Sequence, residues 1–321
     1  MRGEVAERLK AHAWKACGSN PSWVRIPPSP PMIVPILALI SAFFIGVNSI
    51  CISKGLDHGT RLQALFITLL VNNLVFWALL FFFVGIQAGI QAYNISIIVW
   101  FLFLGLLGPS LGRMLNFSSF QRIGVARTMP IVGAAPLFAT FIAIGFLGER
   151  FSFYILIGIF LIMLGIALLS REKNQKGDRA GKKDLLLPLL TACVFGLTIA
   201  LSKKGLLILE NPLIAVTFTV TSALAAVLLY TVFSGKLKEL KPVKPAFLFY
   251  TFAGIATSIA FLSNFTALSK GNVSLVAPML ATFPLFGVFL SHFFLQEGIT
   301  KKIWLGAVII VLGIIAVNFS S

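Results

Sequence analysis

Arg113 and Asn116 stand one helical turn apart inside an apolar stretch of the chain, and together they could hold an anion. A guanidinium offers a planar fork of donors to a carboxylate or phosphate, and a nearby amide can orient the bound group. A charge at such depth costs at least about 2.5–3.5 kcal/mol on insertion scales, so it faces a cavity, finds a partner, or snorkels to an interface. Arg127 opens the next apolar stretch and poses the same choice within one turn of a helix end. Neutral polar groups at Asn48, Asn72, Asn73, Thr198, Thr257 and Asn264 would suit a polar cavity. Interhelical hydrogen bonds would account for many of them equally.

Other residues point to backbone chemistry. Pro136 and Pro284 lie about twelve residues into apolar stretches and remove the donors for the carbonyls of Val132 and Leu280. That makes either a packing kink or a cavity lined by freed carbonyls. Glu149 and Glu297 end two apolar stretches, where a carboxylate can cap the following helix or, on a sharper reading, couple protons. No acid pair, phosphate loop, metal-ligand spacing or nucleophile–base order is present, so nothing points to an enzyme, a metal or a cofactor. Cys17, Cys51 and Cys193 form no CxxC pair and read as small hydrophobes.

The elements that must position these groups are membrane helices. Hydrophobic residues make up 58% of the chain against 11% charged, and the mean hydropathy is +0.97. A soluble domain carries about 25% charge. Ten apolar segments lie near 33–52, 64–86, 95–117, 124–146, 152–169, 186–204, 212–233, 246–267, 273–295 and 302–319. Each is long enough for a bilayer core of about 30 Å, and the absence of a ten-residue alternating pattern makes them helices, not barrel strands.

The chain also repeats itself. At an offset of 148, Pro130 falls on Pro278, Pro136 on Pro284, Glu149 on Glu297, Gly158 on Gly306, Gly165 on Gly313 and Asn116 on Asn264. Near the start of each half, Gly46 and Gly55 match Gly196 and Gly205 at an offset of 150. Five helices per half is an odd number, so the second half inserts upside down relative to the first. The expected fold is an all-α integral membrane protein of ten transmembrane helices in two inverted five-helix repeats, 32–170 and 186–321, joined by a basic linker at 171–185. Gly158 and Gly165 share one helix face, as do Gly306 and Gly313, and such faces admit another helix closely. Shared positions read as scaffold. Positions that break the symmetry are better candidates for a ligand: Arg113 against Phe261, Arg127 against Leu275, and His292 against Ile144.

Phe120–Leu168 and Leu268–Val317 carry the recurring pattern: a small polar turn, a helix with proline near its middle, a closing Glu, then a Gly-x6-Gly helix. This resembles the EamA-type members of the drug/metabolite transporter superfamily over essentially Pro35 to Phe319. The resemblance implies a secondary transporter that moves a small polar metabolite by alternating access, an amino acid or related anionic compound, often for export. It also implies a multi-pass protein of the plasma or inner membrane. On that reading the substrate would meet Arg113, Asn116, Asn48, Asn264 and Arg127. A membrane-embedded enzyme for a lipid-linked substrate would need a cluster of Asp, Glu and His near one interface. A non-transporting structural protein would need no polar cavity.

The first 31 residues are polar, basic and proline-rich, without the apolar core of a signal peptide. They resemble the conceptual translation of a bacterial-type serine tRNA gene, with Gly3–Lys10 suiting its 5′ arm and Trp23–Pro27 its T-arm. On that reading translation starts at Met32; the alternative is a short basic tail that binds anionic lipid. The formal charge of +16 comes from short loops between apolar spans and indicates a membrane surface, not nucleic acid. Fifteen Lys/Arg, including six in Arg171–Asp184, fall on the linker side against four on the other: Arg150, Lys203, Lys204 and Lys270. The positive-inside rule then places the linker in the cytoplasm, whereas the resemblance implies both termini inside. The expected partners are the bilayer and a small-molecule substrate, and a homodimer is compatible with both.

Overall fold

The computed structural model describes residues 32–84, 95–123, 128, 131–147, 153–170, 186–209, 211–241, 243–283, 285–287, 289–290 and 301–318. The first half contains α1 (Ile33–Leu56), α2 (Arg61–Phe83), α3 (Ile95–Gly105), a π-helical segment Leu106–Gly112, α4 (Arg113–Ile123), α5 (Ala135–Leu147) and α6 (Phe153–Ser170). The second contains α7 (Leu186–Leu206), α8 (Pro212–Phe233), a 3-10 turn at Leu237–Leu240, α9 (Lys244–Lys270), α10 (Val273–Leu280) and α11 (Lys301–Asn318). Among the described residues six helices are long and apolar enough to cross a membrane: Ile33–Leu56, Arg61–Phe83, Ile95–Arg122, Leu186–Leu206, Pro212–Phe233 and Lys244–Lys270. They are apolar on every face. Buried residues such as Phe76 and Leu69 pack inward, while Phe81, Phe82, Phe83 and Phe233 stand outward where lipid replaces water.

Helix ends follow capping chemistry instead of hydropathy. Thr60 and Gln63 cap α2 reciprocally, with Gln63 N donating to Thr60 Oγ1 at 3.2 Å and Thr60 N to Gln63 Oε1 at 3.0 Å. Asn211 Oδ1 accepts from Leu213 N at 3.0 Å ahead of Pro212, the first residue of α8. Several helices therefore outrun the apolar windows. Helix α1 continues through Ser53 and Lys54, and α9 runs to Lys270, because backbone bonding continues wherever the last carbonyls find partners.

The proline helices are broken, not kinked. Instead of lying twelve residues into a continuous helix, Pro136 is the second residue of α5, after a turn at Gly133–Ala134. Helix α10 ends at Leu280 and a turn follows at Ala281–Thr282, the repeat counterpart of the first turn. Local bonds close both: Ala134 N donates to Ile131 O at 3.0 Å, and Thr282 N to Met279 O at 3.2 Å. A proline two or three residues beyond such a turn suits the first turn of the resumed helix, where its missing donor costs nothing. Pro284 itself lies outside the described residues.

The repeats interdigitate. Helix α1 packs chiefly on α9, α2 on α8 and α9, α7 on α5 and α4, and α6 on α11, so the main helix contacts all join opposite halves. The glycine faces make the contacts reciprocal. A Cβ at Gly165 would lie 2.6 Å from Gly306 O, and one at Gly313 would lie 2.8 Å from Gly158 O. Likewise a Cβ at Gly46 would meet Phe286 Cβ at 3.1 Å, and one at Gly196 would meet Phe138 Cβ at 2.6 Å. Each contact is the repeat image of its partner, as a two-fold relation between the halves requires.

Candidate functional site

A cavity of about 170 Å³ lies between the halves, lined from both. Its first-half wall depends on one irregularity. Pro109 has no N–H, which leaves the Gly105 carbonyl without its donor four residues on. The next residue supplies it, for Ser110 Oγ donates to Gly105 O at 2.9 Å. The backbone widens into the π segment, and Arg113 N donates to the carbonyls of Gly108 and Ser110. Gly108, Pro109 and Arg113 thereby face the cavity. The counterpart stretch, Thr257–Phe261, lies in the regular helix α9. The repeat symmetry is thus broken where the charge enters.

Arg113 is only 7% exposed. Its Nη1 and Nη2 donate to Asn72 Oδ1 at 3.3 and 3.4 Å, and its guanidinium carbon sits 4.6 Å from the centroid of the Phe261 ring. Phe261 is the residue that aligns with Arg113 in the other repeat, so the pair meets across the interface of the halves. Asn72 is held in turn by α9, its Nδ2 donating to Gly254 O at 2.7 Å and Ser258 Oγ at 2.8 Å. Those two bonds fix which end of the amide faces the arginine. Arg113 therefore has a neutral acceptor and an aromatic face, with donors of its five N–H groups left over. No carboxylate lines the cavity among the described residues.

Asn48, Asn116 and Asn264 line the same cavity. Asn48 Oδ1 accepts from Thr257 Oγ1 at 2.9 Å. The Oδ1 atoms of Asn116 and Asn264, repeat counterparts, are buried and have no hydrogen-bond partner among the described residues. A buried unsatisfied acceptor costs about 1–3 kcal/mol, so a pair of them on a cavity wall favours an occupant that brings donors. Phe117, Phe120, Phe195, Phe261, Phe265 and Phe283 make the wall mainly apolar and aromatic. Pro136, Val132 and Leu280 also reach it, which puts the two helix breaks at the cavity. Such a site can hold a small molecule with one anionic group, some donors and an apolar body.

Arg127, Glu149, Glu297, Pro284 and His292 lie outside the described residues. Of the other polar candidates, Thr198 and Thr257 line the cavity, as does Ser202, whereas Asn72 and Asn73 brace the helices behind it. Asn73 Nδ2 donates to Val220 O at 3.0 Å on α8. Sequence reasoning missed the aromatic walls, since phenylalanine in an apolar span has no positional signal. It also missed Pro109, although a proline followed by serine within a span carries one. Lys203, counted in the sequence among the basic residues on the side away from the linker, is buried at 8% exposure.

The sequence matches the profile of the EamA-like transporter family at residues 32–171 and 182–319, one match per repeat. Among curated proteins none matches. One solved structure, described only as "Crystal structure of protein", superposes with a TM-score of 0.70 at 15% identity, covering 89% of this chain and 96% of that one. The likeness shows a shared fold over nearly the whole length.

Proposed function

Because the chain belongs to the EamA-like transporter family, we propose that it is a secondary transporter that carries a small anionic metabolite, an amino acid or a related compound, by alternating access. The observation that carries this reading is the Arg113 guanidinium, buried at the wall of a cavity between the halves and matched there by an amide and a ring instead of a carboxylate. A substrate carboxylate would complete it. In this reading Arg113 binds the anion, Asn116, Asn264 and Asn48 meet donors on the substrate, and the phenylalanines hold its apolar part.

The chain crosses the membrane ten times, with the second repeat inverted, and the breaks at Gly133–Ala134 and Ala281–Thr282 lie beside the substrate. The interdigitated halves supply two helix groups that can rock about that site, exposing it to one face and then the other. The protein resides in the cell membrane. The test is uptake by the full chain in liposomes across a panel of neutral, zwitterionic and anionic metabolites. Uptake of at least one anionic or zwitterionic solute that depends on Arg113 supports the reading; uptake of neutral or cationic solutes alone refutes it.

A further inference from the structure

Lys203 is a buried ammonium that plays no part in the anion site. It lies one turn from the end of α7, and its Nζ donates to Leu268 O at 2.9 Å and Gly271 O at 2.8 Å. Both acceptors belong to the C-terminal end of α9, where the last carbonyls lack intrahelical donors and the helix dipole favours a cation. Leu206, Leu209, Leu268, Val273 and Val34 are buried around that end, which makes a dry plug. The cavity begins one residue layer below, with Ser202, Phe265 and Ala277 in its wall.

The two helices that Lys203 joins belong to different packing groups. Helix α7 packs chiefly on α5 and α4, whereas α9 packs chiefly on α1, and the cavity lies along the seam between these groups. The lysine ties the seam at one end. The repeat counterpart of Lys203 is Ser53, opposite Phe120 and Ile123 as counterparts of Leu268 and Gly271, and the Ser53 hydroxyl makes no hydrogen bond to either among the described residues. The two repeats thus place an ammonium at one position and a hydroxyl at the matching one.

We infer that Lys203 is a latch: its bonds to Leu268 O and Gly271 O hold shut the end of the cavity where α7 and α9 terminate, and opening that end breaks them. The inference rests on the alternating-access reading above. Substituting Lys203→Met keeps the unbranched apolar stem and removes the ammonium that makes both bonds. The probe is Ala277→Cys on a background in which Cys17, Cys51 and Cys193 are replaced by serine. A membrane-impermeant maleimide is applied to full-length protein from each side of the membrane separately. With Lys203 intact, labelling from the latched side is slow. With Lys203→Met it rises by about tenfold or more, as expected when bonds to a charged donor are lost from the closed state alone.

An unchanged labelling rate in folded Lys203→Met protein overturns the latch. Should that variant fail to fold, Lys203→Cys with Gly271→Cys, bridged by a short reducible bifunctional thiol reagent, asks the converse question. Bridged protein should stop exchanging solute and recover on reduction; transport at the unbridged rate would overturn the proposal. The labelling needs no substrate. A latch effect without any uptake across the metabolite panel would therefore sink the transport reading and leave the latch standing.

Discussion

Replacing Arg113 by methionine separates an anion-binding arginine from one that merely packs. The side chain keeps its apolar stem but loses the guanidinium over Phe261, with its charge and all five donors. At most two of those donors serve Asn72, which leaves enough to receive a carboxylate through one or two charge-assisted bonds. Each such bond contributes about 1.5–3 kcal/mol. With about 1.4 kcal/mol per decade, one lost bond raises the apparent Kd roughly 10- to 150-fold, and two raise it further. The folded protein responds separately, because Asn72 Oδ1 loses its donors and the variant sheds about 1–3 kcal/mol of stability. Binding of an anionic solute that the liposome panel shows to be taken up, measured by calorimetry alongside thermal unfolding in the same detergent, reads both numbers. Arg113→Lys should recover part of the affinity, since an ammonium lacks the planar fork. Asn72→Asp should lower affinity while the guanidinium remains, because a carboxylate would then occupy it internally. Wild-type affinity in folded Arg113→Met protein would refute the argument.

Other outcomes follow from the same geometry. Pro109→Ala restores the donor for Gly105 O and should let the π segment relax toward α, so thermal stability holds or rises while substrate affinity falls severalfold; unchanged affinity would separate the π segment from the site. Gly165→Leu and Gly313→Leu drive a side chain into the opposite backbone and should lower the unfolding temperature by several degrees, whereas Gly145→Ala, whose Cβ meets nothing within 4 Å, should be neutral or gain up to about 1 kcal/mol. A cysteine placed in the 171–185 linker should resist impermeant thiol reagents added outside intact cells, and ready labelling would place that linker outside. Protein beginning at Met32 should insert and transport as the long form does, and loss of either activity would give the first 31 residues a role.

Local patterns in the chain were enough to place the two repeats, the six long apolar helices among the described residues and the prolines beside which the helices change course. Hydropathy and the 148-residue offset are properties of the sequence itself, and a proline removes its donor whatever surrounds it. That is why the breaks appear beside Pro136 and at the corresponding Ala281–Thr282 turn, where the sequence allowed a packing kink or a cavity lined by freed carbonyls within a continuous helix. Arg113 was also legible as a charge without a counterpart in the other half. Its surroundings were not. Nothing in the spacing says that Phe261, its own repeat partner, supplies the ring beside it, or that Asn72 supplies the neutral acceptor.

Lys203 gives the same lesson. Three residues from a helix end, it reads as a solvated charge, and only the convergence of the α9 terminus makes it a buried cross-tie. The physical reason is common to all these cases. A helix in lipid is apolar on every side, so its sequence scarcely marks which face meets protein and which meets lipid. The sequence therefore determined the elements, their repetition and their weak points, while the interdigitation of the halves decided which side chains share a cavity.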